Sequence, residues 1–231
     1  MIILSYGAIN GVKSKKLDLT DIKVTVPHFF GLFGINVFAD LRETDVSIRP
    51  ADFWRIEKGE DRINSVKGAL LKKADLRYAD MFRAFLANAI LRNANMEGAR
   101  LRKTIFQNSD IRGANLDKTD LRGANLKGTD LREATFVDAY LTGAQLHGAN
   151  LGLTLLHGAN LNQANLENAD MRCADLTGVK NLTVDQLAVV QTVYQAKMDQ
   201  TMLTQIKALL PHLLEKPAVQ WVEPNQIKKC P

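Results

Sequence analysis

The side chains of this sequence that could do chemistry are few. They are His147 and His157, the two cysteines Cys173 and Cys230, and a set of arginines placed two residues after aspartates. A metal centre needs three or four such ligands converging on one point. Nucleophilic catalysis needs a base within reach of the nucleophile. The two cysteines give neither a disulfide framework nor a metal-ligand spacing, so Cys173 reads as a free surface thiol and a reducing compartment is the default. Carboxylates stand singly, most of them beside an arginine. No nucleophile elbow and no phosphate-cradling glycine loop occurs. The sequence therefore predicts no enzyme, no catalytic residue, no metal and no cofactor.

Whether any of these groups meet depends on the elements that hold them. From Leu71 to Leu176 every fifth residue is apolar, in 22 consecutive positions without a slip. Two residues before each of them stands Ala, Ser or Thr. A period of five fits neither a helix, at 3.6, nor a flat strand, at two. It needs a backbone that turns a corner every five residues, so that each central residue points inward. Four corners close a square, and 20 residues make one coil. Coils stack through backbone hydrogen bonds, as in solenoids. A tight interior filled by the central residue leaves room only for a small second inward residue. The residue between the two points outward and is often Asp or Asn, which suit turns and bond nearby backbone. Gly recurs two places after the centre (Gly98, Gly113, Gly123, Gly128), where a corner asks for positive φ. With this phase, His147 and His157 fall on opposite faces and cannot share a metal.

The segments Ala114-Asn115-Leu116, Ala124-Asn125-Leu126, Ala149-Asn150-Leu151 and Ala174-Asp175-Leu176 carry a pattern that resembles the pentapeptide-repeat family, A(D/N)LXX. The resemblance implies an all-β solenoid, a right-handed quadrilateral β-helix. Twenty-two units at four per coil make a rod roughly 26 Å long, at ~4.8 Å per coil. Ala39-Asp40-Leu41 keeps the phase of the repeat, because Leu41 and Leu71 are six units apart. Together with Ala74-Asp75-Leu76 and Arg83-Ala84-Phe85-Leu86, it is similar to the repeat domain of larger bacterial membrane-anchored pentapeptide proteins. What that likeness implies, as an expectation, is a shortened relative or a fragment.

The chain divides accordingly. Residues 1–38 form an N-terminal segment, with a short strand or two around Leu17, Leu19, Ile22, Val24 and Val26, that caps the rod. Residues 39–66 hold early repeats and an inserted loop. Residues 67–180 are the β-helix. Residues 181–216 are an α-helical C-terminal cap: Thr183 and Gln186 form a capping box for a helix reaching about Lys197, with Leu187, Val190, Val193 and Tyr194 on its apolar face. Asp199 opens a second helix that buries Met202, Leu203, Ile206, Leu209 and Leu210. Residues 217–231 are a tail. A lid is needed because an open last coil exposes unpaired backbone and an apolar cross-section.

Residues 20 apart share a face. One face alternates Asp110, Asp130 and Asp170 with Arg112, Arg132 and Arg172, a charge ladder between coils. Another carries Arg83, Arg100, Arg102, Lys103 and Arg122 against Asp80 and Asp120, and is the candidate interaction face. Outward apolar residues near the first coils (Leu70, Phe85, Ile90, Ile105) are expected under the N-terminal segment. Those near the last coils (Val137, Tyr140, Leu153, Leu155) are expected under the terminal helices, with a partner or a second copy as the alternative cover.

The reading is a non-enzymatic scaffold that binds a protein partner through the faces of the rod, located in the cytoplasm or, alternatively, associated with the membrane surface. A homodimer is a further option. No aromatic row interleaves the cations, so nucleic acid is not expected. The first alternative comes from the resemblance: some members of the family mimic DNA and bind gyrase. Such mimicry needs an acidic rod, whereas residues 67–178 hold 15 Lys+Arg and 12 Asp+Glu. The second alternative is binding of a polyanion or an acidic membrane through the basic face.

Overall fold

A computed structural model describes residues 24–25, 36–37 and 68–217. Near the N-terminus, β1 (Val24–Thr25) pairs antiparallel with β2 (Asn36–Val37), with Val24 opposite Val37. The early repeats, the inserted loop and the tail from residue 218 lie outside the described residues.

From Leu70 onward the backbone is a stack of square coils. Nineteen parallel bridges join residue n to residue n+20, from Leu70↔Ile90 to Asn160↔Lys180. Each side of the square is short, and each corner is a β-turn closed across four residues, as in Ala74 N→Leu71 O (3.1 Å) and Ala124 N→Leu121 O (2.9 Å). The third residue of each turn is left-handed: every fifth residue from Lys73 to Gly178 has φ between 55° and 70°. A left-handed third residue with an ordinary second one marks a type II turn. This is why Gly holds eight of these corners and why the others lean on Asn and long polar side chains.

The ladder between coils repeats three bonds per side. On the first side these are Leu71 N→Ile90 O (2.8 Å), Lys73 N→Arg92 O (2.9 Å) and Ile90 N→Ala69 O (2.8 Å). All 22 central residues are buried, and the small residues before them fill the rest of the interior. Thr hydroxyls in that inner column are satisfied: Thr104 Oγ1 donates to Met81 O (2.7 Å) and Thr119 Oγ1 to Leu116 O (2.6 Å). Ser109 Oγ is buried without a partner.

Past Gly178 the structure departs from expectation. The capping box at Thr183 forms, but the helix it opens, α1, is only Val184–Leu187. Residues 188–198 then resume the ladder with two residues inserted: Asp170 bridges Thr192 and Asp175 bridges Lys197, with Met171 N→Thr192 O at 3.0 Å and Leu176 N→Lys197 O at 2.8 Å. Leu187, Val190 and Val193 are buried, though not as one helical face. The β-branched run Val189, Val190, Thr192, Val193 favours extended backbone, and the exposed groups of the preceding coil supply partners for it. Helix α2, Gln200–Leu209, follows Asp199. Asp199 is its N-cap residue, but makes no side-chain cap bond; its carboxylate accepts instead from Gly178 N (3.2 Å). Of the expected apolar face Ile206 is buried, while Leu209 is 66% exposed. A 3-10 turn, Pro211–Leu214, buries Leu213, whose carbonyl accepts from Val193 N (3.0 Å).

Candidate interaction faces

The four sides are named by their central residues: the first by Leu71, the second by Leu76, the third by Met81 and the fourth by Leu86. The residue before each centre does local work. Its Asp or Asn side chain accepts from the backbone N–H two residues on, as in Asp117 N→Asn115 Oδ1 (2.9 Å) and Lys127 N→Asn125 Oδ1 (3.1 Å). This fixes the approach to the corner.

On the first side, aspartates and arginines interlock between coils. Arg92 Nε reaches Asp110 (2.5 Å), Asp110 holds Arg112 (2.9 Å), Arg112 approaches Asp130 (3.5 Å), and Asp130 holds Arg132 (2.6 Å). Asp170 and Arg172 repeat the pair. The side is the charge ladder the spacing predicts. Partial burial pushes the Asp110 carboxyl up, but hydrogen bonds from Arg112 and Arg92 outweigh it and hold the group below its ordinary value.

All five candidate residues come together on the third side, within its first three coils. Asp80, Arg100, Asp120 and Tyr140 are successive bridge partners in one column. Arg102 and Arg122 stack in the next, through Arg83 N→Arg102 O (3.0 Å) and Lys103 N→Arg122 O (3.1 Å). Arg83 and Lys103 stand at the corner, each with φ 56°. Arg100 binds Asp80 (2.6 Å), Arg122 binds Asp120 (2.6 Å), and Arg102 lies 4.0 Å from Asp120. Desolvation pushes the Asp120 carboxyl up, yet its bonds to Arg122 keep it depressed. Arg83 lies over the Phe82 ring at 5.0 Å and Arg122 near the Tyr140 ring at 5.9 Å. Five cations thus face two carboxylates, with aromatic rings among them. The sequence reading missed these rings because Phe82 and Tyr140 occupy two different columns.

His147 and His157 fall on the fourth and second sides, which are opposite. His147 Nδ1 lies 3.3 Å from Glu167, and His157 Nδ1 lies 3.0 Å from Thr177 O. Cys173 corrects an expectation: it is disulfide-bonded, not a free thiol. It sits at an outward corner, φ 57°, where another sulfur can approach it.

The cover expected for the later outward apolar residues is also corrected. Tyr140 is 53% exposed and Leu155 is 45% exposed. The helices pack against the end of the stack, where Gln186 Nε2 donates to Leu161 O (2.8 Å) and Ala164 O (2.9 Å), and so do not cover Tyr140 or Leu155. The cover expected for Leu70, Phe85, Ile90 and Ile105, the segment 1–38, lies almost wholly outside the described residues.

Charge changes along the rod. Residues 70–129 hold 12 Lys+Arg against 6 Asp+Glu, whereas residues 130–189 hold 3 against 7. The halves therefore carry opposite net charge, +6 and −4.

Comparison with known proteins adds the following. A family model described as pentapeptide repeats matches in 8 copies, over residues 79–117, 119–158 and 153–180. No curated protein matches the chain. A pentapeptide repeat protein of the cyanobacterium Cyanothece 51142 is 28% identical; the match covers 50% of this chain and 65% of that one, with a TM-score of 0.36. One from Nostoc Pcc 7120 is 33% identical over 48% of this chain and 84% of its own, with a TM-score of 0.38. A plasmid-mediated fluoroquinolone resistance protein is 18% identical over 64% of this chain and 75% of its own, with a TM-score of 0.35.

Proposed function

Because the chain belongs to the pentapeptide-repeat family, whose right-handed quadrilateral β-helix its rod follows, we propose that it is a non-enzymatic scaffold that binds a protein partner through the flat sides of that rod. The third side over its first three coils is the contact surface. One observation carries this reading: five cations on a rigid grid, ~4.8 Å apart between coils, meet only two carboxylates, and Arg83 and Lys103 make no ion pair among the described residues. Such a surface fits an acidic patch of a partner, where charge complementarity sets orientation and encounter rate. The helices after the last coil act as the lid that keeps the rod from stacking end to end.

Affinity capture from the source cell tests this. A partner held by the wild type and lost from the Arg83→Glu/Arg102→Glu/Lys103→Glu variant supports it. An identical set of captured proteins removes it.

The same grid supports a second reading, a polyanion or an anionic membrane surface. Tyr78 at the neighbouring corner is 74% exposed, and Arg83 and Arg122 lie beside rings, which adds stacking capacity to the cations. Retention on heparin or anionic vesicles that falls steeply with salt and is abolished by the triple reversal favours this reading. No retention at low salt removes it.

A further inference from the structure

The net charge of the rod inverts at the border between its third and fourth coils, from +6 over residues 70–129 to −4 over residues 130–189. A two-fold axis lying in a contact plane and crossing the rods at that border lays two copies side by side and antiparallel. The basic half of each then rests against the acidic half of the other. Such a contact is isologous. One column of a side meets the same column of the second copy, first coil to sixth, second to fifth and third to fourth. Whether a side suits this contact depends on its fit to itself.

The second side fits. The corner column that closes it runs Tyr78, Gly98, Lys118, Asp138, Gly158 and Gly178, all left-handed. The rotation sets Lys118 of each copy against Asp138 of the other, twice by symmetry. Lys118 lies 3.5 Å from Glu97 and Asp138 lies 3.8 Å from Lys180 in its own chain, and Lys118, Asp138 and Lys180 are each more than half exposed. Exposed pairs of this length are weak, so both charges stay open to a second chain. The ring of Tyr78, 74% exposed, lies along the edge over Gly98, where an added Cβ would come within 2.7 Å of it. The rotation sets that ring against the Gly178 corner, which has no side chain to meet it. One column inward, Glu97 meets His157. The like pair, Asp75 against Asp175, has Arg77 beside it, bonded to Asp75 at 2.6 Å. The other sides do not fit. On the first, Arg112 meets Arg132 and Asp110 meets Asp130, like on like. On the third, Arg100 and Arg102 meet the uncharged Asn160 and Asn162. On the fourth, Ile105 meets Asn165 and Lys127 meets His147.

We propose that the second side, with its corner column, is a self-association surface on which a second copy of this chain docks antiparallel, about an axis between the third and fourth coils. Six coils at ~4.8 Å make the contact about 29 Å long, and three extended residues make it about 10 Å across. That is small beside the ~800 Å² per partner of a standard interface. The dimer is therefore of the weak, reversible class, and its charge pairs set the register. The third side stays open in it, so this inference is independent of the scaffold reading.

The test is sedimentation equilibrium of the full-length chain over a range of concentrations, at low and at high salt. The wild type is expected to dimerise at low salt, with an association constant that falls as salt rises. Lys118→Glu and Asp138→Lys each set like charges against one another twice, and each is expected to lower the constant about tenfold. An equimolar mixture of these two variants is expected to regain the wild-type constant within about threefold, because each chain offers the charge that the other has lost. That rescue also shows both variants folded. Lys127→Glu, on the fourth side, leaves the constant unchanged. A chain that stays monomeric at every concentration at low salt overturns the proposal. So do single variants within about twofold of wild type, or a mixture that associates no more tightly than its components. None of these results bears on the capture experiment, which reads the third side.

Discussion

The first three coils and the coils that follow them as far as Gly178 share one backbone and differ in what they display. Leu101 and Leu146 sit in equivalent inward places, both buried, and the ladder around each runs through the same kind of bonds: Leu101 N→Asp120 O and Leu146 N→Asn165 O, both 2.8 Å. Outside, residues 70–129 are basic and residues 130–189 acidic. The repeat constrains two of five positions tightly and a third loosely, which leaves the surface free to vary along a scaffold that does not change. Charge and apolar patches can therefore be placed in register at fixed intervals, which is what a binding rod requires.

The largest expected effect tests whether the interior is as uniform as it looks. Leu101→Ala and Leu146→Ala should each cost about 2–5 kcal/mol of unfolding free energy, measured by chemical denaturation, and should agree closely with each other. A large disparity between them would break the equivalence of the halves.

Next come the acceptors beside the corners. Asn125→Ala in the basic half and Asn165→Ala in the acidic half each lose the bond to the N–H two residues on, from Lys127 (3.1 Å) and Glu167 (3.0 Å). A loss of about 1 kcal/mol is expected for each. A zero effect in both would show that the corner geometry holds without them.

Titration sharpens the contrast in charge. The Asp110 and Asp120 carboxyls are depressed in the folded protein, after opposition from partial burial, by their arginines. A depressed folded value means that the stabilisation is present above the unfolded value, about 3.9, and is lost as pH falls through the folded one. Melting temperature should therefore fall below about pH 4, and Asp110→Asn/Asp120→Asn should flatten that fall. An unaltered acid limb in the double variant would mean that other carboxylates carry it.

The smallest effect is expected at Ser109. Its hydroxyl is buried and unpartnered, so Ser109→Ala should be neutral or stabilising by up to about 1 kcal/mol. Thr104→Val, which removes the bond to Met81 O (2.7 Å), should be destabilising by a similar amount. Reversal of that order would show that the Ser109 hydroxyl has a partner in solution.

Much of the rod was legible because its signal is periodic and local. An apolar residue every five, a small residue two places before it and a left-handed corner, glycine at eight of them, each answer a steric demand repeated 22 times, so the demand is visible in one dimension. The ladder of Asp110, Arg112, Asp130 and Arg132 followed from the same phase. The end of the rod was not legible. Thr183 and Gln186 announce a helix, and one forms, but Val189, Val190 and Val193 then leave it for the ladder. The β-branched run favours extended backbone and the open groups of the preceding coil give it partners, but nothing local in the sequence signals a two-residue insertion that resumes the stack.

The sequence by itself determined the square coil, its interior column and which residues share a side, including the gathering of Arg83, Arg100, Arg102, Lys103 and Arg122. It could do so because inward and outward positions are set by the corner geometry of five residues. Only the tertiary structure decided which charges are neutralised across coils and that the terminal helices leave Tyr140 and Leu155 exposed. It alone decided where the stack stops, and that Cys173 is bonded rather than free. Those outcomes depend on side chains twenty or more residues apart and on how the terminal segments pack, distances over which a local pattern carries no force.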